Sequence, residues 1–383
     1  KDNVNAGTAT VTITLKGNYS GTITKNFTIE RAKTATAIAS DKVYTGSEQT
    51  GVTGTNVDLF GTISATDVGT YMVTAVPSEN YAWSDGSIEQ KILTWNIIAK
   101  DTMDITATLN PTVYTYDGTE KEPEVTVKDG TKVLVNVTDY DVEYSNNINA
   151  GTATVTITLK GNYSGTITKN FTIERAKTAT ATASDKIYTG ELQTGVTGTH
   201  VNLIGMVEAT NVGTYTVTAT PRTNYAWADG STDAKTLTWK ITAKGLDDMT
   251  ASLTPVSFEY DGTTKEPMAE VKDGENTLLD KTDYDVKYSN NINVGTAIAT
   301  ITFKGNYTGT LTREFTITTR KITVKAKDVS KSYNGSALTS DVTEVVSGSL
   351  VEGHVITAQT TGSQTDVGTS TNVLNSVTIS DAL

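Results

Sequence analysis

The sequence predicts an all-β protein, a tandem array of small, Ig-like, antiparallel β-sandwich modules. Three observations lead there. Apolar residues alternate with threonine: over 152–159, Ala153, Val155, Ile157 and Leu159 share one face and four threonines the other. That is the period-two pattern of a half-buried strand. Stretches 68–76, 141–145, 166–173 and 235–243 alternate in the same way. Turn pairs punctuate them at Asp85-Gly86, Asp129-Gly130, Asn146-Asn147 and Asp229-Gly230, residue types that supply tight-turn backbone angles. No segment carries an amphipathic helical period. Short strands closely punctuated by turns read as a sandwich. A β-grasp-like module is the alternative.

Repeats set the organisation. Gly7, Gly151 and Gly295 open near-identical stretches at equal intervals along the chain. Three signatures recur inside that period. Tyr-x-Gly occurs at Tyr44, Tyr116, Tyr188, Tyr260 and Tyr333. [Asn/Asp]-[Ala/Val]-Gly-Thr has its glycine at Gly7, Gly69, Gly151, Gly213, Gly295 and Gly368. Asn-Tyr begins at Asn18, Asn80, Asn162, Asn224 and Asn306, always at the same offset from the second signature's glycine. The glycines of the first two signatures are widely spaced in some units, as from Gly118 to Gly151, and closer in others, as from Gly46 to Gly69. Two module types therefore alternate, differing by about one short hairpin.

In order, residues 1–31 are the end of a long-type module. Residues 32–100 are a short-type module, 101–175 long, 176–244 short and 245–319 long. Residues 320–383 form a divergent last module that is cut short. Junctions such as Ala99-Lys100-Asp101 contain no flexible linker composition, so neighbouring modules are expected to stack semi-rigidly. Near-identical neighbours invite mispairing, and the alternation of types is expected to reduce it.

Within the short modules, Asp67-Val-Gly-Thr-Tyr71 and Asn211-Val-Gly-Thr-Tyr215 are similar to the tyrosine-corner sequence of Ig-like domains. There the hydroxyl bonds back to the chain near the turn. The long modules place Ala153 and Ala297 at that position.

Composition excludes several function classes. The 383 residues carry a net charge of −12, which argues against nucleic acid as a partner. There is no cysteine, hence no disulfide framework, thiolate zinc site or cysteine nucleophile. Only His200 and His354 are present. No apolar run approaches the roughly 18–20 residues of a membrane span. The chain opens on Lys1 with no signal-peptide pattern, as expected of a segment of something longer.

Residues 115–130, TYDGTEKEPEVTVKDG, and 139–173, DYDVEYSNNINAGTATVTITLKGNYSGTITKNFTI, resemble repeats of Firmicutes cell-surface proteins, the bacterial Ig-like and MBG/YDG-type modules. SYNGSALTSDV from Ser332 and GSQTDVGTS from Gly362 resemble the MBG-type modules among them. The resemblance implies an extracellular location on a Gram-positive cell surface and a stalk or adhesive role. It carries over no catalytic residue.

The chemistry-bearing residues give one candidate site. His200 and His354 lack a nucleophile or carboxylate at a meaningful spacing and are expected in exposed loops. Asp139, Asp141, Asn146 and Asn147, repeated at Asp283, Asp285, Asn290 and Asn291, are expected in turns and strand edges, since no complete Ca²⁺ loop is formed. Lys–Asn crosslinks at Asn96 or Asn170 fail because the equivalents are Lys240 and Glu314. Trp95 and Trp239 sit in alternating strands and are expected in the core. Tyr81, Trp83 and Asp85, with Tyr225, Trp227 and Asp229, form Tyr-Ala-Trp loops before Asp-Gly turns. Such a loop either stacks on a sugar ring or caps the end of the sandwich, and capping is the favoured reading.

The expected function is thus a non-catalytic stalk segment with no cofactor or metal, whose partners are its own neighbouring modules. The alternative is an adhesin that binds a host glycan or matrix protein through the Tyr/Trp loops.

Overall fold

A computed structural model describes residue 1 and residues 3–381. The chain divides into two compact units: Lys1–Thr180 with Thr199–Val201 and Pro221–Asp233, and Ala181–Gly198 with Asn202–Thr220 and Ala234–Leu383.

The first unit opens with an antiparallel hairpin of Gly7–Thr14 and Thr22–Ile29. Over residues 32–100, a four-stranded sheet runs in the order Lys42–Val43, Lys91–Ile98, Gly69–Pro77, Val57–Gly61. A second sheet holds Tyr81–Trp83, Ala32–Ala39 and Val52–Thr55. Trp95 fills the interior with 0% exposure, and its indole N–H donates to the Thr62 carbonyl at 2.8 Å. Gly51 is required beneath that ring, because a Cβ there would lie 1.8 Å from Cδ2 of Trp95.

Residues 101–175 repeat the plan. Val113–Thr115, Thr166–Glu174, Gly151–Leu159 and Tyr140–Ser145 form one sheet; Ile105–Asn110, Glu124–Asp129 and Lys132–Val133 form the other. The Asp129-Gly130 turn and Lys132–Val133 are the extra hairpin of the long type. Ala107 and Val127 from one sheet share a core with Val155 and Phe171 from the other.

In the second unit, Lys235–Thr242 pairs with Lys186–Ile187 and with Gly213–Pro221, and Trp239 is fully buried. Residues 245–319 again pair Ser257–Glu259, Thr310–Thr318, Gly295–Phe303 and Tyr284–Ser289 in one sheet, against Met249–Thr254, Met268–Asp273 and Asn276–Thr277. Residues beyond 320 hold two hairpins, Thr323–Ala326 with Thr343–Ser347 and His354–Thr360 with Leu374–Asp381.

The fold is therefore all-β, in tandem sandwich modules. A β-grasp does not describe it, since the only helical turn among the described residues is Thr102–Asp104. The tyrosine corner is present in the short modules: the Tyr71 hydroxyl donates to the Asp67 carbonyl at 2.6 Å, and Tyr215 does the same to Asn211.

Candidate functional site

The three recurring signatures meet where one module joins the next. Asn162 opens the Asn-Tyr signature of residues 101–175, and its side chain grips the preceding module twice. The Asn162 amide donates to Asp67 Oδ1 at 2.9 Å, and its carbonyl oxygen accepts the Val68 N–H at 2.8 Å. Asp67 and Val68 belong to the second signature, so that turn is a socket and the Asn-Tyr turn is its plug. Asn306 holds Asn211 and Val212 at 3.0 and 2.8 Å. Asn80 holds Asn5 and Ala6, and Asn224 holds Asn149 and Ala150, all within 3.1 Å.

After three of the four plugs, the next tyrosine meets the Tyr-x-Gly tyrosine of the preceding module. Tyr44 and Tyr163 pack edge-to-face with centroids 5.4 Å apart, as do Tyr188 and Tyr307 at 5.4 Å and Tyr116 and Tyr225 at 5.5 Å. Such pairs contribute about 0.5–1.5 kcal/mol beyond their burial. At the last joint Tyr260 meets His354 instead, its hydroxyl 3.2 Å from Nε2.

The linker is also fixed. Lys100 N–H donates to the Asn162 carbonyl, and the Lys100 carbonyl accepts from Ser164 N–H, a one-residue parallel bridge. Ala176 and Lys244 make the same bridge to Tyr225 and Tyr307. Backbone bonded in this way has little freedom to bend.

Charge completes the short-to-long joints. Lys100 Nζ lies 2.7 Å from Asp129 Oδ1 and 3.6 Å from Asp104; Lys244 lies 2.6 Å from Asp273 and 3.3 Å from Asp248. The hydrogen bonds to Asp129 and Asp273 raise both lysine pKa values. Lys132 adds an ammonium within 5.8 Å of the Tyr44 and Tyr163 ring centres, and its hydrogen bond to Tyr163 raises its pKa. Burial pushes the Tyr163 phenol up and the Tyr307 phenol far up.

A clip of side chains presents the Tyr-x-Gly tyrosine in long modules. Asp117 accepts from Thr119 N–H, the Thr119 hydroxyl and the nearly buried Lys121; Asp261, Thr263 and Lys265 repeat this. The lysine bond, with threonine behind it, holds both carboxyls well below the usual carboxylate range.

The sequence candidates fall elsewhere. Trp83 and Trp227 are only 3% and 4% exposed. Their indole N–H groups donate to the Glu89 and Asp233 carbonyls at 2.7 Å, and Lys91 covers the Trp83 ring. Neither ring has an open face for a sugar, so the loop caps the module. Asp85 and Asp229 accept from Ser87 and Ser231 within their own turns. Tyr81 is half-buried beside Arg31, and Tyr225 is taken up by the joint.

Neither histidine is an exposed loop residue. His200 stacks on Tyr225 at 3.9 Å with the rings 7° apart, from a left-handed backbone position also adopted by Asn56. His354 starts a strand and is half-buried. The carboxylates act locally. Asp139 and Asp283 accept backbone N–H groups of Val135 and Leu279, while Asp141 and Asp285 pair with Lys160 and Lys304. Asn146 and Asn290 take positive φ in turns, and Asn147 and Asn291 donate to the Lys121 and Lys265 carbonyls.

No family profile matches the chain, and no curated protein does either. Among solved structures, the chain is similar to the human desmocollin-1 ectodomain at 10% identity, covering 80% of this chain and 84% of that one, with a TM-score of 0.15. It is similar to extracellular domains 3–6 of protocadherin gammaB7 at 10% identity, over 74% and 99% of the two chains, with a TM-score of 0.20. Immunoglobulin domains 1–5 of Sidekick-1 give 11% identity, 78% and 84% coverage and a TM-score of 0.20.

Proposed function

We propose that the chain is a non-catalytic stalk segment of a large bacterial surface protein, holding an adhesive or effector region away from the cell wall. Its location outside the cell follows from the resemblance of its repeats to Firmicutes surface modules. The observation that carries the reading is the repeated joint. Four plug asparagines each hold a socket of the preceding module through two hydrogen bonds, and linker residues are bonded to the module that follows. Residues that would otherwise suggest a ligand site, Trp83, Trp227 and His200, are occupied in packing. A transmitting element needs stiff joints more than it needs a pocket.

The test exploits the absence of native cysteine. Spin labels placed on either side of the Lys100 joint should give a narrow distance distribution in the unaltered chain. Asn162→Ala should broaden it while the strands remain folded. A broad distribution in the unaltered chain would overturn the proposal.

A further inference from the structure

At every joint a basic linker residue reaches into the module that follows, and its identity alternates: Arg31, Lys100, Arg175, Lys244, Arg320. The lysines stand at the bridging position itself, whereas Arg31 and Arg175 stand one residue before it, ahead of Ala32 and Ala176, and Lys33, Lys177 and Lys321 follow the arginines. The two kinds bond differently. Each lysine reaches a carboxylate on the next module's Asp-Gly hairpin, Asp129 or Asp273. Asp273 is 9% exposed, and the two lysine side chains are themselves only 22% and 24% exposed. Each arginine donates instead to a backbone carbonyl of the next module. Arg31 reaches Glu79, Arg175 reaches Thr223 at 2.9 Å and Arg320 reaches Ser349 at 2.7 Å.

The module that follows explains the split. In long modules Asp129 pairs opposite Ile105, and Asp273 opposite Met249, each on the first strand after the linker lysine. In the first short module the residue in that place is Thr55, opposite Thr36. The corresponding strand of the second short module, Val196–Thr199, also ends on threonine. A lysine in front of a short module would hold a half-buried ammonium with no counter-charge, which is costly. A guanidinium, flatter and less strongly hydrated, is satisfied by carbonyl oxygens. The divergent residues 320–383 also open on an arginine: Arg320 donates to the Ser349 carbonyl and hydroxyl, and the only carboxylate beside it among the described residues, Glu259 at 3.9 Å, belongs to the module before it.

We propose that the linker's basic residue is an address for the module type that follows. Lysine admits a long-type neighbour with its carboxylate, and arginine admits a neighbour that offers carbonyl oxygens and no carboxylate. The address rests on the stalk reading, because it governs the same joints. It makes the order of modules a property of single residues. A long-type module is the partner fitted to the Lys100 and Lys244 surfaces.

Hydrogen exchange measured by mass spectrometry on the full chain tests this. In the unaltered chain the Lys244 and Thr308 amides, bonded across the fourth joint, should be protected. Lys244→Gln and Asp273→Asn should each speed their exchange by about tenfold and leave the Ala176 joint unchanged. The reversed pair Lys244→Asp with Asp273→Lys should restore protection. A chain lacking residues 101–175 places Lys100 before a short module. There the Lys100 joint should exchange freely, and Lys100→Arg should protect it again. Full protection in Lys244→Gln, or in the shortened chain that keeps Lys100, would overturn the address while leaving the stalk standing. Unprotected joint amides in the unaltered chain would overturn the stalk and the address with it.

Discussion

The joints at Lys100 and Lys244 are two castings of one design that differ in the socket acceptor, Asp67 in one and Asn211 in the other, and in a lysine over the ring pair. In the first, Lys132 stands over Tyr44 and Tyr163 and donates to Tyr163 at 3.3 Å. In the second, the equivalent residue of the repeat is Asn276. The tyrosine pairs nevertheless match in their internal geometry, both 5.4 Å apart, at 79° and 80°. The plug bonds agree as well, 2.8 Å in each case from Asn162 and Asn306 to the socket N–H. The ring pair and the asparagine therefore define the joint, and the lysine is an addition to a structure already complete.

Tyr163→Ala and Tyr307→Ala each empty a buried aromatic site, and each should destabilise its joint by about 3 kcal/mol. Urea unfolding with exchange read module by module would show it, and the Tyr163 loss should be the greater because Lys132 also loses its acceptor. Alkali acts on the same rings. A phenol whose pKa is raised by folding contributes stability below its unfolded value, near 10, and loses it as pH climbs toward the folded value. Lys132 and its hydrogen bond oppose the rise at Tyr163, so above pH 10 the Lys244 joint should weaken more than the Lys100 joint.

Asn162→Ala and Asn306→Ala orphan the Val68 and Val212 N–H groups. Each should cost about 1–2 kcal/mol, and Asn162→Ala the more, because it also removes a bond to the Asp67 carboxylate, as judged by exchange at those two amides. Lys132→Asn should remove less than about 1 kcal/mol and move the first joint toward the second. Asn276→Lys should move the second toward the first.

Much of the fold was legible in the residues. The alternation at 152–159 matches the strand Gly151–Leu159 to within a residue. Trp95 and Trp239 were readable as core from their place in an alternating run. Asp67-Val-Gly-Thr-Tyr71 announced its own hydrogen bond. The joint was hidden for a geometric reason. Asn162 follows closely on Gly151 in its own module but grips Asp67, 95 residues earlier. The spacing therefore described where the signature sits and said nothing of what it touches. The Tyr-Ala-Trp loops drew notice for a converse reason: a loop-borne tryptophan reads the same whether its ring is open or, as with Trp83 on the Glu89 carbonyl, turned inward. The alternation of Arg and Lys at the linkers was in plain view. It acquired meaning only once carbonyl and carboxylate acceptors could be told apart.

The distance between plug and socket also sets a timetable. A socket such as Asn149-Ala150 is synthesised 75 residues before Asn224, and Asp67-Val68 waits 95 residues for Asn162. At about 5–20 residues per second of chain growth, each joint closes roughly 4–20 s after its socket is made. A module leaving the ribosome thus has time to fold alone before its successor arrives to lock it, and the joints close one after another in the order of translation.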